Sequence, residues 1–196
     1  MANQSEPGSA SSTTDDLKLY RWAAWAIPPD NICKRVKKVM EALREEFGGP
    51  EIKPHITVAG SCLFTRSDAI ERFTHACGSV NPIVYQVDQL ETSKFYFQCV
   101  SLVFKTEDEF TRETGIFASR MHCSSANMPH LSLIFGDYTD EEKKRAEEIV
   151  KSVDEELCTM IFTVTRMQLY KINFEDKTQK SWELFYESTL RHQINN

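Results

Sequence analysis

The sequence predicts an α+β fold: two similar lobes, each built on a mostly antiparallel sheet, facing a central cleft with helices outside. Three observations predict it. Strand-like and helix-like segments alternate without the regular phase of βαβ units. A five-residue pattern, Pro-His-apolar-hydroxyl-apolar, occurs twice, at 54–58 and 129–133. Each copy is followed by a helix-capping signal, so the two halves of the chain resemble one another.

The elements follow in order. The segment 19–27, LYRWAAWAI, is apolar and aromatic and reads as a strand closed by Pro28 and Pro29. A helix begins at Asp30, with Ile32, Val36, Val39, Met40, Leu43 and Phe47 at helical spacing, and stops at Gly48-Gly49-Pro50. HITVAGSCLF at 55–64 is a strand. Thr65 and Asp68 form a capping box for a helix ending near Cys77. Strands are expected at 83–91 and 95–104, a weaker helix at 107–122, and a strand at 130–135. Thr139 and Glu142 form the second capping box, opening a helix that carries Ala146, Ile149, Val150, Val153 and Leu157. Strands near 161–171 and 182–190 close the chain.

Length and charge bound the function. At 196 residues and 22.6 kDa the chain suits one domain, read here as 17–196 behind a disordered tail at 1–16. That tail has no apolar core or basic start of a secretory signal, so a cytoplasmic location is expected. No run of 18 apolar residues is present, which argues against a membrane partner. The net charge is −6, and Glu6, Asp15 and Asp16 account for half of it, leaving 26 acids against 23 bases beyond residue 16. Long nucleic acid would require a basic face, so it is excluded as a partner, whereas a small phosphorylated ligand requires only local donors. A monomer is expected. Neither a P-loop nor GxGxxG is present, so nucleotide cofactors on those motifs are not anticipated. The six cysteines, Cys33, Cys62, Cys77, Cys99, Cys123 and Cys158, form no CxxC and read mainly as small buried hydrophobes, with one disulfide left open.

The two histidines carry the chemistry. In a strand, residues i and i+2 share a face. His55 and Thr57 therefore point one way while Ile56 and Val58 point into the core, and His130 and Ser132 repeat this against Leu131 and Leu133. Two such strands would bring two imidazoles and two hydroxyls to one pocket. His-x-Ser/Thr also arises by chance. A third copy, His122-Cys123-Ser124, lacks the proline and the inward apolar flanks and is read as coincidence. With a reference pKa near 6.5, one imidazole can be neutral while its twin is charged, as in-line attack on a phosphodiester requires. The hydroxyls could donate to the non-bridging oxygens. Metal ligation is the rival use, but no third ligand is suitably spaced and HExxH is absent, so neither metal nor other cofactor is expected.

The repeated PHITV and PHLSL resemble the signature of the 2H phosphoesterase superfamily, with its two His-x-Ser/Thr motifs in a bilobal α+β fold. MEALREEFGGP, FYFQCVSLVF and MPHLSLIF further resemble its plant and yeast cyclic nucleotide phosphodiesterases, over about residues 19–190. The resemblance implies metal-independent hydrolysis of ADP-ribose 1'',2''-cyclic phosphate, a by-product of tRNA splicing, to ADP-ribose 1''-phosphate. It also implies opening of nucleoside 2',3'-cyclic phosphates to 2'-phosphates. Transferred by position, it makes His55 and His130 catalytic, Thr57 and Ser132 phosphate-binding, and Trp25 an aromatic lining the substrate pocket. Phe135 stands where plant relatives tend to carry tyrosine, so a ring is kept and a phenol donor lost. The stretch 117–128 is shorter than in those relatives, and a cysteine pair expected there is reduced to Cys123, so no loop disulfide is assumed.

Other candidates read as structure or surface. Phe95, Tyr96 and Phe97 suit strand packing, with Phe97 or Phe95 able to edge the cleft. Lys94 and Arg166 are candidate anion contacts better read as solvated. Lys143, Lys144 and Arg145 belong to a mixed-charge helix face, and His75 and His192 have no constellation. The competing functions are another activity of the same superfamily, on RNA ends or 2'–5' linkages, and a nucleotide-binding module without turnover.

Overall fold

Strand β1 (Tyr20–Ile27) is buried along most of its length because it lies at the centre of its sheet, with two strands on either side. The computed structural model describes residues 17–125 and 128–190; the tail at 1–16 and His192 lie outside them. Nine strands form two sheets among these residues. The first has the order β5-β2-β1-β8-β9, with β2 (Ile56–Phe64), β5 (Ser124–Ser125), β8 (Arg166–Lys171) and β9 (Glu183–Thr189). The second has the order β6-β4-β3-β7, with β3 (Ile83–Thr92), β4 (Val100–Phe104), β6 (His130–Ile134) and β7 (Ile161–Val164). Every pairing is antiparallel.

Helices α1 (Asp30–Phe47) and α4 (Asp140–Asp154) pack together on the second sheet, and α2 (Arg66–Cys77) and α3 (Asp108–Met121) together on the first. The buried stripe of α1 is Ile32, Val36, Val39, Met40 and Leu43, as its spacing predicts. Gly48 and Gly49 end it at φ 73° and 97°, a region open to glycine at little cost. The Thr139–Glu142 capping box is complete, whereas at Thr65 only the bond from the Asp68 N–H is formed. Arg35 on α1 pairs bidentately with Asp154 at 2.7 and 2.6 Å, tying α1 to the end of α4.

Three expectations change. The segment 95–104 begins as a 3₁₀ turn at Tyr96–Gln98, because the Ser93 hydroxyl accepts from the Phe95 N–H and donates to the Gln98 carbonyl, diverting the backbone from the ladder. The segment 161–171 is two strands in different sheets. The buried residues shift phase there, from Phe162 and Val164 to Met167 and Leu169, and the chain crosses between lobes at Thr165. The lobes are therefore interleaved rather than contiguous halves. Lys143 is buried, not solvated, and its ammonium lies 3.5 Å from Asp140.

The cysteines divide. Cys77 and Cys99 are buried thiols, and Cys33 and Cys158 are half-buried. Cys62 on β2 and Cys123 after α3 form a disulfide, with Cα atoms 5.8 Å apart. This settles the disulfide that the sequence left open, although no loop disulfide was assumed. The partner of Cys123 lies 61 residues earlier, so no local cysteine pair announces the bridge. Among the described residues no helix is long and apolar enough to cross a membrane.

Candidate active site

The cleft between the sheets, about 150 Å³, takes its floor from β1, β2 and β6. Trp25, His55, Thr57, His130, Ser132 and Phe135 all line it, so all six site residues named from the sequence converge there. The alternation holds on both motifs. Ile56 and Val58 are core, as are Leu131 and Leu133, while the histidines are half-buried at the cleft.

Irregularities in β2 aim its residues. Opposite β1, Trp25 pairs with Thr57 but Ala24 pairs with Ala59, so Val58 is an extra residue in the ladder. Val58 and Ala59 both point into the core, and the bulge returns Gly60 to the cleft face beside Thr57. A Cβ on Gly60 would lie 3.2 Å from Thr57 Cγ2, so glycine leaves room for that methyl. A second shift leaves out Ser61, at φ 63°, whose hydroxyl accepts a 2.6 Å bond from Arg21.

The imidazoles are held alike. His55 Nδ1 lies 2.7 Å from the Lys53 carbonyl and His130 Nδ1 lies 2.9 Å from the Met128 carbonyl. A carbonyl only accepts, so Nδ1 carries the proton in each ring, and Nε2 is the atom left for chemistry. The residue two positions before each histidine thus fixes its tautomer and its angle. Desolvation, reinforced by the charge of His130 and opposed by the Lys53 carbonyl, lowers the His55 pKa to about 4. His55 is therefore neutral throughout the neutral pH range.

The hydroxyls differ. Ser132 Oγ donates 2.7 Å to the Phe97 carbonyl, while Thr57 has no protein partner among the described residues. The Ser132 proton is already engaged in holding the 3₁₀ turn.

Trp25 is placed differently from the expectation of a surface offered to ligand rings. His55 stacks against it from the β2 side at 3.7 Å between centroids, and Tyr170 from the β8 side at 3.8 Å. Both faces are covered and Trp25 is buried, so it reaches the cleft only by its edge. Phe135 is also buried, edge-on to Phe97 at 5.2 Å.

The far wall was missed by sequence reasoning. The connection between β8 and β9 brings Phe174, Gln179 and Trp182 to the cleft. Asp176 organises it. Its carboxylate accepts from the Thr178 N–H and hydroxyl at 2.9 and 2.6 Å, and from the Ser181 N–H and hydroxyl, each at 2.7 Å. These bonds, the Thr178 hydroxyl first, hold its pKa well below the usual carboxylate range. The Asp-x-Thr-x-x-Ser spacing between two strand signals is the cue that could have found this loop. Lys94 is exposed and Arg166 is paired with Asp30 at 2.8 Å; neither lines the cleft. His75 is exposed on α2, and His122 caps α3 in the left-handed region at φ 54°. Among the described residues no group of three or more His, Cys, Asp or Glu side chains could hold a metal ion.

Comparison with known proteins places this geometry in a class. No family model matches the chain. A solved structure described as a phosphoesterase superposes with a TM-score of 0.56 over 89% of this chain and 100% of its own, at 12% identity. E. coli LigT complexed with ATP gives 0.55 over the same shares, also at 12% identity. These likenesses establish the 2H-phosphoesterase-like bilobal fold. A cyclic phosphodiesterase of Arabidopsis thaliana is 38% identical over 171 residues, 86% of this chain and 94% of that protein. The chain belongs to the plant-type cyclic phosphodiesterase family of the 2H phosphoesterase superfamily and is a hydrolase.

Proposed function

We propose that the chain hydrolyses small cyclic phosphodiesters without metal. The substrates are ADP-ribose 1'',2''-cyclic phosphate, giving ADP-ribose 1''-phosphate, and nucleoside 2',3'-cyclic phosphates, giving 2'-phosphates. One observation carries this reading: two imidazoles share one cleft, each with Nδ1–H bound to a carbonyl and Nε2 left for chemistry.

Being neutral, His55 is suited to be the base. Its Nε2 takes a proton from water as the water oxygen attacks phosphorus. The phosphorus bond to the 3' oxygen breaks on the opposite side, and His130, protonated at Nε2, gives its proton to that oxygen. One water is consumed and one phosphomonoester forms. Thr57 donates to a non-bridging oxygen where charge accumulates, and Ser132 joins it by turning its proton away from the Phe97 carbonyl.

The test is incubation with EDTA of each cyclic phosphate and of a short RNA with a 2',3'-cyclic end, followed by phosphorus NMR. Ring opening of the small substrates to the 2'-phosphate is expected. Dominant 3'-AMP from 2',3'-cyclic AMP would reverse the regiochemistry. Loss of activity restored by zinc or magnesium would overturn the metal-free mechanism, and preference for the RNA would move the substrate to a polymer end.

A further inference from the structure

Gln179 lines the cleft with its side-chain nitrogen buried and without a hydrogen-bond partner among the described residues. A buried amide group left unpaired is unfavourable, and natural structures retain few of them. Its backbone is also in a conformation that non-glycine residues rarely adopt, with φ 59°. Such a conformation persists only where its surroundings impose it. Here the Gln179 N–H donates to the Asp176 carbonyl at 3.2 Å, and its own carbonyl accepts from the Trp182 N–H at 3.0 Å. The Asp176 carboxylate bonds on either side of it, and the Trp182 indole donates to the Asn173 carbonyl at 2.7 Å. The loop thus holds an unsatisfied carboxamide at a fixed point of the cleft wall.

The neighbours indicate what would satisfy it. Phe97, Phe174 and Trp182 form a triangle with ring centroids 6.0 Å apart on each side, and Phe97 comes from the other lobe. Aromatic rings at a cleft offer surfaces to flat, weakly polar ring systems. A carboxamide presents a donor and an acceptor in one plane, the complement of a nucleobase edge. A phosphate would use only the donor, and the histidines and hydroxyls already serve it. We propose that Gln179 is a specificity-determining residue that hydrogen-bonds the edge of the substrate's nucleobase, with the aromatic triangle bordering the base. This deepens the cyclic-phosphodiester reading and rests on it.

The test compares ligands with and without a base. Calorimetric titration measures binding of 2'-AMP and of ribose 2-phosphate to wild type, Gln179→Met and Gln179→Glu, and kcat/KM is measured on 2',3'-cyclic AMP and ribose 2,3-cyclic phosphate. Methionine keeps the length and removes both polar groups; glutamate keeps the shape and removes the donor. Wild type is expected to favour 2'-AMP, and both variants to lose roughly tenfold or more on the base-bearing ligands. They should stay within about twofold of wild type on the base-free ones, which a merely structural role would not allow. Equal loss on both ligand classes, no loss on either, or a wild type indifferent to the base would overturn the assignment. Intact base-dependent binding without turnover would instead defeat the hydrolytic reading and leave the role of Gln179 standing.

Discussion

Trp25 and His55 lie face to face, ring centroids 3.7 Å apart and planes 18° apart, and Tyr170 closes the opposite face of the indole at 3.8 Å. Lys53 fastens both ends of this stack. Its carbonyl accepts from His55 Nδ1, and its ammonium donates to the Tyr170 hydroxyl at 3.1 Å. The imidazole is therefore set by stacking in one direction and by a hydrogen bond in another. Trp25 reads as a positioning residue. Trp25→Leu should lower kcat about tenfold with little change in KM, since a stacked ring pair contributes roughly 0.5–1.5 kcal/mol and holds the base at its angle. Steady-state kinetics checks this; a rise in KM alone would mean that Trp25 contacts substrate instead.

The pH behaviour follows from His55. Its pKa falls to about 4 in the folded chain against about 6.5 unfolded. The acid limb of kcat/KM should therefore lie below pH 6.5, and that of kcat higher, because bound phosphate stabilises the imidazolium. Both limbs belong to the histidine pair rather than to one residue. Between pH 6.5 and 4 the unfolded chain takes up a proton that folded His55 refuses, so stability is full above pH 6.5 and declines below it. Urea unfolding at pH 7 and pH 5 should show a smaller decline in His55→Asn than in wild type.

The unequal hydroxyls make unequal variants. Thr57→Val removes a donor that holds nothing in the resting protein, so kcat should fall roughly ten- to a hundredfold with the melting temperature unchanged. Ser132→Ala also strips the partner from the Phe97 carbonyl, which should cost about 1–3 kcal/mol of stability besides activity. Thermal unfolding beside kinetics separates the two.

The Cys62–Cys123 bridge closes a separation of 61 residues, so chain-entropy reasoning gives it up to about 4 kcal/mol. Thiol titration of the unfolded, unreduced protein should find four free thiols, and Cys123→Ser should lower the melting temperature.

The floor of the site was legible because strand parity is local. His55 and Thr57 share a face wherever β2 pairs, and the matching core residues Ile56 and Val58 sit between and after them. The same holds for His130 and Ser132. The far wall was not legible, since Gln179 owes its position to a left-handed turn around Asp176, and no apolar periodicity marks such a turn. Covering of both Trp25 faces depended on Tyr170, 145 positions away in sequence, reaching it through the β1–β8 register. Interleaving of the lobes rests on long-range pairings, β4 with β6 and β2 with β5, as well as on the phase shift at Thr165, and none of these pairings is marked by a local pattern.

The central claim is that His55 and His130 act as an acid–base pair on one phosphodiester. Its most direct test is kcat on 2',3'-cyclic AMP, with EDTA present, for wild type, His55→Ala, His130→Ala and the double variant. Each single variant is expected to lose roughly 10²–10⁴-fold while remaining folded, with the double variant little worse than either, because the two act as one unit. A single variant within threefold of wild type would contradict the claim.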